Sequence, residues 1–264
     1  MLKIQNVYKT FNQGTINEKQ ALKGINLNIN DGDFITVIGG NGAGKSTLLN
    51  VISGVYSIDE GELILDDINI TRMPEYKRAK FFGRVFQDPL MGTASSMEIE
   101  ENLALAFRRG KYRGLRWAIT SNERNFYKEQ LKRLDLGLEN RMTSKVGLLS
   151  GGQRQALALL MATLVKPKIL LLDEHTAALD PKTAYKVQEL TQELTQENNI
   201  TTLMITHNMK DAIKYGNRLV MMHEGNIIYE ARDEEKRSLK VEDLLKKFEQ
   251  NAGSELVNDR MLLA

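Results

Sequence analysis

Eight consecutive residues, Gly39-Gly40-Asn41-Gly42-Ala43-Gly44-Lys45-Ser46, fit the pattern G-x-x-x-x-G-K-[ST]. Glycines so spaced let backbone N–H groups close around an anion, and a lysine beside a hydroxyl supplies what a phosphate and a Mg²⁺ ion require. The pattern is short, so its setting decides. Phe34-Ile35-Thr36-Val37-Ile38 reads as a β-branched and aromatic strand entering the loop, and Ser46 to Ser53 as a helix closed by Gly54. Two further apolar runs end in groups that do chemistry. Ile169 to Leu172 leads into Asp173-Glu174, and Thr202 to Ile205 is followed by His207. Carboxylates and an imidazole at strand ends are placed to hold a metal, orient water and donate to a phosphate.

The elements that must carry these groups have two kinds of pattern. Up to residue 30 the chain alternates, clearest at Ile25, Leu27 and Ile29 with Asn26, Asn28 and Asn30 between them, as a half-exposed antiparallel sheet does. Glu62 to Ile70 adds a hairpin turning at Asp66-Asp67. From Phe34 onward, short wholly apolar strands alternate with helices, Leu219 to Met222 being the last, which predicts a buried parallel sheet. Ligands of such sheets lie at the carboxyl ends of the strands, where the glycine loop, Asp173-Glu174 and His207 all fall. Between Asp88 and Lys145 the pattern turns polar and helical, with helices expected at Glu98 to Phe107 and Glu123 to Leu134. Gln155 to Leu164 forms another, and Val241, Leu244, Leu245 and Phe248 stand at helical spacing before Gly253.

Bulk properties narrow the classes. The 264 residues are enough for a large α/β domain, and 36 basic against 34 acidic side chains leave a net charge of +2, which favours neither nucleic acid nor an acidic partner. No cysteine is present, excluding disulfides, thiolate metal sites and thiol catalysis. The longest apolar stretch, Leu157 to Val165, falls short of the roughly 18 residues of a membrane span. The amino terminus lacks a signal-like apolar core, so secretion is not expected. The run Arg108 to Trp117 holds five basic residues and the only tryptophan. It reads as a solvated loop, with contact to anionic lipid heads or a membrane partner as the alternative.

Leu149-Ser150-Gly151-Gly152-Gln153 resembles the signature sequence of ATP-binding cassette (ABC) proteins, in the usual order after the glycine loop. Gln87 in Val-Phe-Gln-Asp-Pro resembles the Q-loop, Ala178-Leu179-Asp180 the D-loop, and His207 in Ile-Thr-His-Asn the switch histidine. The resemblance spans about Leu2 to Phe248. It implies an α/β P-loop NTPase core with a mainly parallel sheet, an N-terminal antiparallel β-subdomain and an inserted helical subdomain. Residues 1–250 would be a single ATPase domain, with 1–87 and 146–232 as core, 88–145 as the helical subdomain and 233–250 as a C-terminal helix; 251–264 would be a loose tail. His175 departs from the family, where a proline or small residue is common after the acidic pair. That leaves the chemistry intact and raises a question of local rigidity.

The resemblance also implies roles, with ATP and Mg²⁺ as cofactors. Phe11 would stack on adenine, with Tyr8 as the fallback. Gly39, Gly40, Asn41, Gly42, Ala43, Gly44, Lys45, Ser46 and Thr47 would bind the phosphates. Ser46, Gln87 and Asp173 would serve the metal, and Glu174 would orient and deprotonate the attacking water. His207 would donate to the γ-phosphate and hold Glu174. Leu149, Ser150, Gly151, Gly152 and Gln153 would face the ATP of a second copy in a head-to-tail dimer, with Asp180 at the interface. The expected setting is the cytoplasmic face of a membrane, beneath a separately encoded permease that docks near Asp88 to Asn102. A solute-binding protein and a small solute such as an amino acid are expected, in a group linked to aromatic amino acids. An exporter ATPase is the first alternative. The second is a soluble ABC ATPase acting on DNA or ribosomes, against which stand the single cassette and the roughly one hundred residues between Ser46 and Leu149, too few for a long coiled coil.

Overall fold

A computed structural model describes residues 1–111 and 119–252. Most of the basic run, from Tyr112 to Trp117, and the expected tail from Gly253 onward therefore lie outside the described residues. In chain order the elements are β1 (Leu2–Phe11), β2 (Lys19–Ile29), β3 (Phe34–Gly39), α1 (Lys45–Ser53), β4 (Glu60–Leu65), β5 (Ile68–Asn69), α2 (Glu75–Arg78) and β6 (Phe82–Val85). Then follow α3 (Ile99–Phe107), α4 (Ser121–Lys132), α5 (Gly151–Thr163), β7 (Ile169–Asp173), α6 (Pro181–Glu197), β8 (Thr201–Ile205), α7 (Met209–Lys214), β9 (Arg218–His223), β10 (Asn226–Arg232), α8 (Asp233–Ser238) and α9 (Val241–Ala252). They group into two compact units, one of residues 1–78 with 201–264 and one of residues 79–200.

In the first unit the alternating segment forms an antiparallel sheet in the order β2-β1-β4-β5, its hairpin turning at Asp66 and Asp67, both at positive φ. Aspartate tolerates that left-handed region better than most residues. The apolar strands form a second array, β10-β9-β3-β8, in which β3 runs parallel to both β8 and β9. Ile35, Val37 and Ile38 of β3 are buried on both faces, as parallel strands are. β10 returns antiparallel to β9, a pairing the sequence pattern did not reveal. Ile38, Leu219 and Met221 pack with Met209 and Ala212 of α7 and with Leu244 and Phe248 of α9.

The C-terminal segment is two helices rather than the one expected. α8 ends at Ser238, Leu239 turns extended, and Asp243 caps the restart by accepting from the Lys240 amide at 2.9 Å. Lys236 is buried with its ammonium on the carbonyls of Tyr215, Gly216 and Arg218, which pins α8 in place.

Buried Arg218 is the polar centre of this unit, donating to Asp33 at 2.5 Å, to the Asn28 carbonyl at 2.7 Å and to Glu230 at 2.5 Å. Burial works against the Asp33 carboxylate, yet the Asn30 amide, Arg218 and Asn217 outweigh it and hold its pKa below the ordinary 3.8. Arg218→Met strands that carboxylate, with an expected loss of about 3–5 kcal/mol in urea unfolding at neutral pH. Unfolded Asp33 takes up its proton before the folded form does. The stabilisation of the unaltered protein is therefore complete above the ordinary value and drains away as pH falls through the lowered one, so the gap between variant and parent narrows in acid.

In the second unit β6 and β7 pair in parallel, Phe82 opposite Ile169 through Val85 opposite Leu172. Helices α3, α4, α5 and α6 pack beside them; Tyr127 and Leu131 of α4, Leu103 of α3 and Leu157, Leu159 and Leu160 of α5 are buried. The expected start of α4 moves to Ser121 because Thr120 and Glu123 form a reciprocal capping box. α5 begins at Gly151, four residues before the expected Gln155, for the same reason. Ser150 accepts from the Gln153 amide and Gln153 accepts from the Ser150 amide. Among the described residues no helix is long and apolar enough to cross a membrane.

Candidate functional site

In the first unit β3 delivers the chain into the glycine loop, and the loop into α1. Gly44, the N-cap of α1, and Gly42 sit at φ 99° and 79°, where an L side chain is strained. Sterics reinforce this: a Cβ on Gly39 would stand 2.2 Å from the Met222 carbonyl, and one on Gly44 2.5 Å from that of Ala21. The loop is further held by Ala43 N–H to Gly40 O (3.2 Å) and Gly225 N–H to Ala43 O (3.0 Å). Lys45 is buried, its ammonium donating to the carbonyls of Gly39 at 2.8 Å and Gly40 at 3.0 Å. A cation is thus stored under a turn of exposed amides at a helix N-terminus, with Asn41, Gly42 and Ser46 open to solvent. No acidic side chain occupies the first turn of α1. Positive helix-end dipole and ammonium together make an anion site.

Tyr56 and Lys19, which the sequence did not single out, lie beside candidate residues of this unit. Phe11 ends β1 and packs edge-on against Tyr56, centroids 5.2 Å apart, with the Lys9 ammonium 5.6 Å above its ring. Tyr8, the fallback aromatic, instead lies over Gly24, where a Cβ would stand 2.8 Å from its hydroxyl. A Cβ on Gly42 would come within 3.2 Å of the Lys19 ammonium, a second cation at the loop. His207 follows β8 after one residue, Thr206. Thr206 N–H bonds the Val37 carbonyl at 3.1 Å, and Asn208 caps α7 through its side-chain oxygen to the amides of Lys210 and Asp211. The backbone of His207 therefore lies between a strand end and a helix cap.

In the second unit Asp173 is the last residue of β7, its carboxylate 3.5 Å from the Arg84 guanidinium of neighbouring β6. That guanidinium in turn lies 4.4 Å over the Phe86 ring. Glu174 has φ 47°, a left-handed turn that ends the extended run of β7. His175 turns inward and is buried, its Nε2 3.1 Å from the Thr191 hydroxyl of α6. Thr191 spends its only hydroxyl proton on the Val187 carbonyl at 2.8 Å, so it accepts from His175, which fixes the Nε2–H tautomer. Burial pushes the imidazole pKa down to about 4, so the ring is neutral at physiological pH.

Gln87 is exposed in the bend after β6, and the Phe86 carbonyl before it accepts from the buried Gln155 amide at 3.1 Å. The signature residues open α5 with Leu149 buried, Ser150 and Gly151 exposed and Gln153 partly covered. Gly152 is required by contact: a Cβ there would stand 2.0 Å from the Thr183 methyl of α6. Asp180 caps α6, accepting from the Thr183 amide at 3.1 Å, ahead of Pro181 at the first helical position. Hydrogen bonds from the Thr183 side chain and amide hold the Asp180 carboxyl below its ordinary pKa.

The ABC transporter family profile matches residues 22–177. A tyrosine transport ATP-binding protein of Clostridioides difficile is 47% identical over 249 residues, 94% of this chain and 99% of that one. A spermidine/putrescine import ATP-binding protein of Mycoplasma mycoides is 32% identical over 229 residues, 86% of this chain and 60% of the longer relative. Among solved structures, the dimeric post-hydrolysis state of an ATP-binding cassette from Methanocaldococcus jannaschii, bound to ADP and phosphate, matches with TM-score 0.76 at 33% identity, covering 88% of this chain and 98% of that one. A phosphate loop built as above, matched along nearly the whole chain to such relatives, makes this protein a member of the ABC transporter family: an ATP-binding cassette that hydrolyses ATP to power transport.

Proposed function

We propose that the chain is the ATPase of a bacterial importer, working as a head-to-tail dimer on the cytoplasmic face of the membrane beneath a separate permease. The observation that carries this reading is the 47% identity with a tyrosine transport ATP-binding protein along 94% of this chain and 99% of that one. An aromatic amino acid is accordingly the solute, delivered by a solute-binding protein. In the chemistry, Lys45 moves from the loop carbonyls to the β- and γ-phosphates, and the amides of residues 41–47 enclose them. Phe11 stacks on adenine, supported by Tyr56. Glu174 takes the proton of the attacking water, and His207 donates to the γ-phosphate and orients Glu174. Such positioning and charge neutralisation are the main needs of phosphoryl transfer.

The Ser46 hydroxyl, the Asp173 carboxylate and the Gln87 amide oxygen, the groups we assign to the metal, are all oxygen donors, and Asp173 lies 3.5 Å from the Arg84 guanidinium. That set fits Mg²⁺, which neutralises phosphate charge when bound. Ser150, Gly151 and Gly152 present a capped helix N-terminus to the nucleotide of the second copy, with Asp180 beside it at the dimer interface. The segment 88–145 is the helical subdomain and supplies the surface for the permease. No observation favours an exporter or a DNA- or ribosome-directed ATPase. Deleting the gene from its host should remove most saturable uptake of labelled tyrosine, and a plasmid copy should restore it. Unchanged uptake of tyrosine, phenylalanine and tryptophan would refute the solute assignment.

A further inference from the structure

Glu174 sits in a backbone conformation that costs an L residue roughly 1–3 kcal/mol and persists only when its surroundings impose it. Two contacts do so. The Glu174 carbonyl accepts from the Ala177 amide at 3.0 Å, closing the turn locally. The adjoining His175 ring is buried and hydrogen-bonded to Thr191, ten residues into α6 from Pro181. The other end of α6 packs against the signature loop, where the Thr183 methyl leaves no room for a side chain on Gly152. One rigid helix therefore touches the signature loop at its start and anchors the turn carrying Glu174 further along. Helices transmit such displacements nearly as rods because their packed interfaces resist continuous deformation.

We propose that His175 is a positioning residue for hydrolysis, its hydrogen bond to Thr191 tying the Glu174 turn to α6 so that the carboxylate is aimed only while α6 holds its place against the signature loop. This rests on the reading of Glu174 as the base. Anything that seats on the signature loop then acts on Glu174 of the same chain through α6. Misplacing a base by about 1 Å can cost up to about a hundredfold in rate without touching the groups that bind substrate.

The test uses the purified full-length protein, measuring ATP affinity, kcat and thermal unfolding. Thr191→Val removes the acceptor at nearly constant volume, Thr191→Ser keeps it, and His175→Gln retains a donor of similar reach. Expected is a fall in kcat of about tenfold or more for Thr191→Val with ATP affinity within twofold of the parent, and recovery to within about threefold for Thr191→Ser and His175→Gln. Wild-type kcat in Thr191→Val would overturn the proposal, as would a loss in which kcat falls only in proportion to the unfolded fraction. If Thr191→Val fails to fold, Thr191→Ser and His175→Gln still decide: a rate loss in both despite a retained hydrogen bond overturns it. Near-normal turnover in Glu174→Gln would instead remove the base on which the proposal rests, so the two failures are distinguishable.

Discussion

Glu174→Gln should bind ATP with affinity close to the parent's, hydrolyse it at least about a hundredfold more slowly, and accumulate as a nucleotide-bound dimer. Glutamine keeps the length and shape of the side chain but loses its negative charge and, with it, the capacity to take a proton, a function typically worth about 10²–10⁴ in rate. The turn is held by the His175 ring on Thr191 and by the Ala177 amide on the Glu174 carbonyl, both of which the substitution leaves in place. The backbone at φ 47° is as strained for glutamine as for glutamate, so the fold should not register the change. If hydrolysis is what reopens the dimer, a protein that binds but does not cleave stays closed. Phosphate release and gel filtration with and without ATP read both parts. Near-normal turnover would remove Glu174 as the base.

Lys45→Ala should lose ATP affinity by about 10–100-fold and turnover to the limit of detection. The ammonium is buried under the loop and occupied by two carbonyls, Gly39 and Gly40, so it is pre-positioned and largely desolvated before any phosphate arrives. A charge-assisted hydrogen bond is worth about 1.5–3 kcal/mol, which sets the affinity range. In the variant those carbonyls keep a route to water, because Asn41 and Gly42 above them are exposed. The loss should therefore appear in nucleotide binding by calorimetry with little change in melting temperature. Retained affinity and turnover would contradict the assignment of the loop.

Local chemistry was legible in the sequence wherever one residue fixes its own backbone. The Asp66-Asp67 turn, Gly54 closing α1 and the strand entering the glycine loop follow from conformational preference alone. Ser150 to Gly152 read as a helix N-terminus, but the helix itself was expected only from Gln155, although the signal for its start at Gly151 is local. Ser150 and Gln153 form the S-x-x-Q capping box, whose two intervening glycines are poor helix formers. The anchoring of α8 was not legible, because the carbonyls of residues 215, 216 and 218 reach Lys236 only after folding. The same holds for the Tyr56 ring against Phe11, the Arg84 partner of Asp173 and the Thr191 anchor of His175. Each pairs residues distant in sequence, and neither partner's type announces the other. The rigidity that an imidazole after the acidic pair put in question is supplied by that last contact.

The central claim is that this ATPase drives transport with a membrane partner, and a purification tests it most directly. Glu174→Gln protein would be isolated from its host's membranes with ATP present, and the proteins that accompany it identified by mass spectrometry. Recovery with a multispanning permease, with or without a solute-binding protein, is the expected result. Recovery only from the soluble fraction, with ribosomal or DNA-bound proteins, would contradict it.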